Sequence, residues 1–260
     1  MSDINNPTLD ILNQRASTRS FLQEPLAQPE KDAIVNAAFR APTACNLMAY
    51  SVIEIQDQGI KDRLVHTCDN QPMIAKAPYV LLFVADYQRW IDLYQHSRVE
   101  ELDADWHDPG MGNLLFCFAD ALIAAQNAVI AAESMEIGSC YVGDILENGE
   151  EHQRLFDLPR YTMPAALLIF GRPKVEVAPR PRETTSMLQK DRYHRLTDEE
   201  LGNKAALLEA TFAPHGFKPG IADYPQNEYL QKYAVDFVEE LERSVRWWID
   251  RWCAQRESHV

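Results

Sequence analysis

The segment from about residue 113 to 136 constrains the fold more than any other part of this 260-residue chain. A break at Pro109-Gly110-Met111-Gly112 introduces it, and Ala119, Ala121, Ala124, Ala125, Ala128, Ala131 and Ala132 then recur through a long apolar run. Side chains this small let another helix approach closely. The run therefore predicts a long helix at the centre of a domain or at a dimer interface. Leu114 to Ala132 is the most apolar long stretch, but Asp120, Gln126 and Asn127 lie inside it. Such groups are costly in hydrocarbon, so the expectation is a buried core helix and no membrane partner. Gly138 is expected to end the helix.

Two further apolar runs, Tyr79 to Ala85 after Pro78 and Pro164 to Phe170 before Gly171-Arg172-Pro173, suit strands buried on both faces. Tyr50 to Ile55 reads as a third strand and Cys140-Tyr141-Val142 as a short strand or loop. Helices are expected over 8–15, 29–40 (with Pro29 at its start), from Gln56 to Leu64, and over 88–102, 147–156 and 197–212. Over 226–256, Tyr233, Phe237, Leu241, Val245, Trp248 and Trp252 form an amphipathic stripe. That stripe predicts one helix of roughly 30 residues, spanning ~45 Å. Residues 174–192 read as a polar, proline-rich connection. The order of elements indicates an α+β or α/β sandwich. The expected division is residues 1–195, carrying the site, and residues 196–260, a helical extension on the core or a partner chain.

The chain has 25 basic and 39 acidic residues, a formal net charge of −14. This argues against nucleic acid or an anionic membrane as the main partner. A phosphate-bearing ligand needs a local positive pocket against that field. Arg15-Ala16-Ser17-Thr18-Arg19-Ser20-Phe21 offers one: two guanidinium forks and a short hydroxyl donor. Taken alone, the stretch also fits a solvated surface turn. Cys45, Cys68, Cys117, Cys140 and Cys253 are scattered, with no CxxC spacing, so reduced cytosolic thiols and no metal site are expected. The start, Met1 to Asn6, lacks the basic and apolar parts of a signal peptide. No GxGxxG follows a strand, and P-loop, HExxH and GxSxG patterns are missing.

Five landmarks in order carry a resemblance. They are Arg15 to Phe21, Arg40-Ala41-Pro42-Thr43-Ala44-Cys45-Asn46, Ala131-Ala132-Glu133-Ser134-Met135-Glu136-Ile137-Gly138, Cys140-Tyr141-Val142-Gly143, and Ile169 to Pro173 followed by Arg180-Pro181-Arg182. Together they resemble the FMN-dependent nitroreductase family, in particular its oxygen-insensitive NADPH nitroreductases and flavin reductases. The resemblance implies an α+β fold: a central, mostly antiparallel sheet flanked by helices, a long central helix and a C-terminal helical extension. It implies FMN as cofactor and NADPH or NADH as reductant. A cytoplasmic homodimer would hold the flavin at its interface.

By that resemblance Arg15 and Ser17 bind the FMN phosphate from one side and Arg180 and Arg182 from another. Arg19 lies near the ring, where a fixed cation favours the reduced state. Thr43, Asn46 and Asn70 hydrogen-bond the cofactor, and Tyr141 and Gly143 cover its other face. The implied reaction is ping-pong hydride transfer to a small-molecule acceptor such as a nitroaromatic, a quinone or a free flavin, with no catalytic side chain. Arg192, His194 and Arg195 are candidate NADPH contacts. Leu47-Met48-Ala49-Tyr50 departs from the Gln-Pro-Trp common in the family, Ala16 from a basic residue, and Met73 from a lysine of some relatives. A reductive dehalogenase-like enzyme and a flavin-binding or storage protein remain as alternatives.

Overall fold

In chain order the elements of the computed structural model are α1 (Pro7–Gln14), α2 (Gln28–Phe39), β1 (Tyr50–Glu54), α3 (Gln58–Thr67), α4 (Met73–Lys76), β2 (Tyr79–Asp86), α5 (Gln88–His96), α6 (Met111–Glu133), β3 (Gly138–Val142), α7 (Gly149–Leu155), β4 (Thr162–Gly171), α8 (Asp198–Phe212), α9 (Tyr224–Lys232) and α10 (Asp236–Cys253). The structure describes residues 6–213 and 217–254. The expected helical residues 255 and 256, and the polar start before residue 6, lie outside them. The strands form one antiparallel sheet in the order β1-β2-β4-β3, giving the expected α+β class.

Every residue of β2 and β4 is buried, as their unbroken apolar runs require. Alternation then sorts the side chains into two layers. Val80, Leu82 and Val84 of β2, with Leu167 and Ile169 of β4, face a cluster that includes Leu64, Ile74, Ile145, Trp248 and Trp252. Tyr79, Leu81 and Phe83, with Leu168 and Phe170, face α2 and the second half of α6 through Ile34, Ala38, Ala121, Ala125, Ala128 and Ala132. The alanines act as expected: they let α6 lie close against α2 and the sheet.

Three sequence expectations change. First, α6 stops at Glu133, and Gly138 does not end it. The Ile137 N–H returns to the Ala132 carbonyl, and Glu136 takes the left-handed turn at φ 59°. Gly138 opens β3 and is needed for packing: a Cβ there would lie 2.4 Å from the Thr18 hydroxyl. Second, the single helix expected over 226–256 is broken between α9 and α10. The Tyr229 carbonyl accepts both the Tyr233 and the Ala234 N–H, a closing pattern that ends α9. Asp236 and Glu239 then start α10 with favourable charge at its N-terminus. Third, the run expected as one helix over 88–102 gives α5 and a separate 3-10 turn at Val99–Glu101, with Arg98 left-handed between them.

The described residues fall into two compact units, one within Met1–Ala178 and Glu240–Val260, the other within Pro179–Glu239. Residues 240–253 of α10 thus belong with the sheet, although the sequence grouped them with the extension. Trp248 and Trp252 are both almost completely buried in the first core layer. In the second unit α8 opens with a full capping box from Thr197 and Glu200.

Candidate active site

The Arg15–Phe21 stretch is held along one end of the sheet. Arg15 caps α1, its N–H bonded to the Ile11 carbonyl. Thr18 N–H donates to the Ser139 carbonyl at 2.9 Å, and Ser17 bridges to Ser139 in parallel. Further on, Phe21 bridges to Pro173, Leu22 N–H donates to the Arg172 carbonyl, and Lys174 N–H donates to the Ser20 carbonyl. The stretch is therefore an extended rim strap beside β3 and the exit of β4.

Beside this strap opens a cleft of about 680 Å³. Its walls come from three separate places: Arg19 to Phe21 and Gln23 on the strap, Asn70 to Met73 and Lys76 at α4 and the turn before it, and Lys174 after β4. Arg19, Lys76 and Lys174 supply three cations to this wall, and among the described residues no carboxylate lines it. In a chain of net charge −14, that makes a local site for an anion.

Of the expected site residues, the cleft brings together Arg19 and Asn70; Asn70 adopts a left-handed backbone at φ 53°. Arg15 and Ser17 lie next to it on the strap. The Ser17 side chain hydrogen-bonds the Cys140 thiol, whose pKa burial raises and the Arg19 and Arg15 guanidinium groups pull back. Burial also raises the Glu133 carboxyl, again against Arg15. Tyr141 is exposed on β3 and its hydroxyl contacts the Gln126 amide at 3.3 Å. Beside Gly143 the space is open, with no atom within 4 Å of where a Cβ would stand.

Thr43 and Asn46 have another setting. Cys45, Asn46 and Met48 all have positive φ (51°, 57° and 48°), which makes the turn before β1 a tight one. Asp120 of α6 accepts the Ala44 N–H at 3.0 Å, and the Thr43 hydroxyl accepts the Met48 N–H at 3.2 Å. The Thr43 hydroxyl is thus engaged in holding the turn, while Asn46 is exposed. Arg180 and Arg182 belong to the second unit and are exposed there. Arg192 and Arg195 are exposed in the same unit, and His194 meets Glu200 at 2.9 Å. Gln71, Lys76 and Lys174 had not been singled out from the sequence. Lys174 follows the Gly171-Arg172-Pro173 landmark directly, which was the one signal available for it. Among the described residues no group of three or more His, Cys, Asp or Glu is placed to hold a metal ion.

The sequence pattern that defines the nitroreductase family matches residues 12–172, which takes in the strap, all four strands and every cleft residue except Lys174. The chain belongs to the nitroreductase family. Within it, the chain is 33% identical over 183 residues to the FMN reductase [NAD(P)H] of Bacillus subtilis, covering 68% of this chain and 70% of that one. It is 28% identical over 196 residues to the oxygen-insensitive NADPH nitroreductase of Salmonella typhimurium, covering 75% and 78%. The solved NfrA1 nitroreductase of B. subtilis shares the fold at a TM-score of 0.80, with 23% identity, over 93% of this chain and 98% of that one.

Proposed function

We propose that this nitroreductase-family chain is an FMN-dependent NAD(P)H oxidoreductase that holds its cofactor along the Arg15–Phe21 strap and the adjoining cleft. The carrying observation is the cleft wall itself, with Arg19, Lys76 and Lys174 as its charges and no carboxylate among the described residues that line it, in a strongly acidic chain. The donor set fits FMN. Arg15 and Ser17 present a guanidinium and a hydroxyl to a phosphate, with Arg180 and Arg182 proposed as its second clamp. Arg19 sets a fixed cation where negative charge collects on reduction. Asn70 supplies amide groups to a polar ring edge, and Thr43 and Asn46 border the cofactor from the turn before β1. The open ground beside Gly143 and Tyr141 admits a flat ring system.

When bound, FMN supplies the hydride chemistry that links NAD(P)H oxidation to reduction of a nitroaromatic, a quinone or a free flavin. The chain's own residues bind, orient and polarise it; none is required as nucleophile.

A second copy of this chain is the proposed cover for the outer face of α6. Leu115 and Phe116 are each 64% exposed there, with Met111, Leu122 and Ile123 also open and α1 packed alongside. A contiguous apolar surface of this kind marks an interface. The long helix is thus buried on one side only. We place the dimer in the cytoplasm, a reading supported by five unpaired cysteines.

The test is direct. Purified protein should be yellow, and NADPH or NADH added under nitrogen should bleach it; a colourless protein that takes up no added FMN would overturn the proposal. Replacing both Arg15 and Arg182 by alanine in a folded variant should release the flavin.

A further inference from the structure

The turn before β1 is held against its own backbone preferences. Cys45, Asn46 and Met48 all sit in the left-handed region, and none is glycine. Each such residue is disfavoured by its own Cβ, so a turn that holds three of them within four positions persists only where other parts of the fold fix it. Local bonds fix its start: the Asn46 N–H donates to the Thr43 carbonyl at 3.2 Å and the Leu47 N–H to the Ala44 carbonyl at 3.0 Å. Its exit is fixed from outside, by α5.

Arg89 and Trp90 lie in the first turn of that helix. Arg89 Nη2 donates to the Met48 carbonyl at 2.6 Å and to the Tyr50 carbonyl at 2.8 Å. The Trp90 indole N–H donates to the Leu47 carbonyl at 3.0 Å. Two neighbouring side chains thus collect three carbonyls from one short stretch of main chain. Arg89 is itself anchored. Its Nε lies 3.2 Å from Oδ2 of Asp86, the buried last residue of β2. Asp86 also accepts the Ser51 hydroxyl at 2.5 Å and the Arg89 N–H at 3.3 Å. The Arg89 charge is therefore matched by a carboxylate, and its planar fork is directed at backbone oxygens. Arg89 does not line the cleft, so any effect it has there passes through the turn.

We infer that Arg89 is a positioning residue for the flavin site: by gathering the Met48 and Tyr50 carbonyls it holds the turn in the left-handed form that presents the exposed Asn46 to the cofactor. This rests on the FMN reading, which sets Asn46 against the bound flavin. Trp90 supports the same turn at Leu47, and Asp120 supports it from α6 at Ala44. Without the Arg89 fork, two carbonyls lose these donors and the left-handed residues relax toward ordinary backbone. Asn46 then leaves its place, although no group that touches the ligand has been changed.

The experiment is FMN release on dilution of the holoprotein, read by flavin fluorescence, for the wild type, Arg89→Met, Asn46→Ala and the double variant. Arg89→Met keeps the apolar stem and removes the donors. Alone it should raise the FMN dissociation constant about tenfold. In the Asn46→Ala background it should raise it by less than about twofold, because the group that Arg89 positions has gone. Arg89→Lys, whose ammonium has three donors, should stay within about threefold of the wild type. If Arg89→Met does not fold, Arg89→Gln takes its place in the cycle. Independent effects of the two substitutions, an unchanged dissociation constant in Arg89→Met, or a lysine variant no better than methionine overturns the inference and leaves the FMN reading standing. A wild type that takes up no FMN overturns both.

Discussion

At the scale of single residues, the buried charges matter most, because each is held by few partners. Burial, with the neighbouring Asp144, Asp69 and Glu240 carboxylates, pushes the Glu147 carboxyl up to about 7 from an ordinary value of 4.5. Between those values the native state binds a proton that the unfolded chain has released. Stability from this group is therefore full at acid pH and lost as pH rises through about 7. Glu147→Gln should raise the melting temperature at pH 8 and change it little at pH 4; an equal gain at both would show that ionisation is not the cause. Asp120 is buried within α6 and holds the turn before β1 through the Ala44 N–H. Asp120→Ala should cost about 1–3 kcal/mol and speed amide exchange at Ala44. The sequence disclosed Arg15, Ser17 and Arg19 because one continuous stretch carries all three. Gln71, Lys76 and Lys174 stayed hidden, since their shared wall exists only once strap, α4 and the β4 exit come together. Asp120 was legible as a polar intruder in an apolar helix, but its partner, 76 residues away, was not.

Secondary-structure elements follow the same division between local and distant causes. β2 and β4 were readable because burial on both faces leaves an unbroken apolar run. The end of α9 was not, because the Tyr233 stripe continues through the break while backbone hydrogen bonds close the helix. The contact of α7 with α10 is equally non-local. Gly149 N–H donates to the Ser244 hydroxyl at 2.8 Å, and that hydroxyl donates to the Leu146 carbonyl at 2.6 Å. A Cβ on Gly149 would lie 2.7 Å from the Trp248 indole nitrogen and 2.9 Å from the Ser244 hydroxyl. Gly149→Ala should therefore cost about 1–3 kcal/mol by overpacking, seen as a lower urea midpoint. Trp248→Ala, which empties the same seam, should cost about 3–5 kcal/mol. If Gly149→Ala proves neutral, the α7–α10 approach is looser than the geometry described above.

For the whole molecule, charge and apolar surface lead to separate expectations. The net charge of −14 repels an approaching anionic nicotinamide cofactor at long range, while the three cleft cations act only nearby. Added salt screens the distant repulsion first. The rate of flavin reduction by limiting NADPH should rise as ionic strength increases from a low value, as stopped-flow absorbance would show; a steep fall would mean that local attraction dominates. Phe116→Glu places a charge on the exposed face of α6 and should convert the proposed dimer into monomers in light scattering, with the far-UV circular dichroism unchanged. The small residues of α6 suited either a domain centre or a dimer interface, and the structure uses Ala121, Ala124, Ala125, Ala128 and Ala132 in the chain's own core. The outward apolar stripe is visible only after the helix is docked. The return of α10 to the sheet has its own consequence for how the protein is made. Because Trp248 and Trp252 complete a layer begun by β2 and β4, a nascent chain that has emerged only through residue 239 exposes a greasy sheet surface to the cell. Until the last helix arrives, that intermediate is a natural client for chaperones.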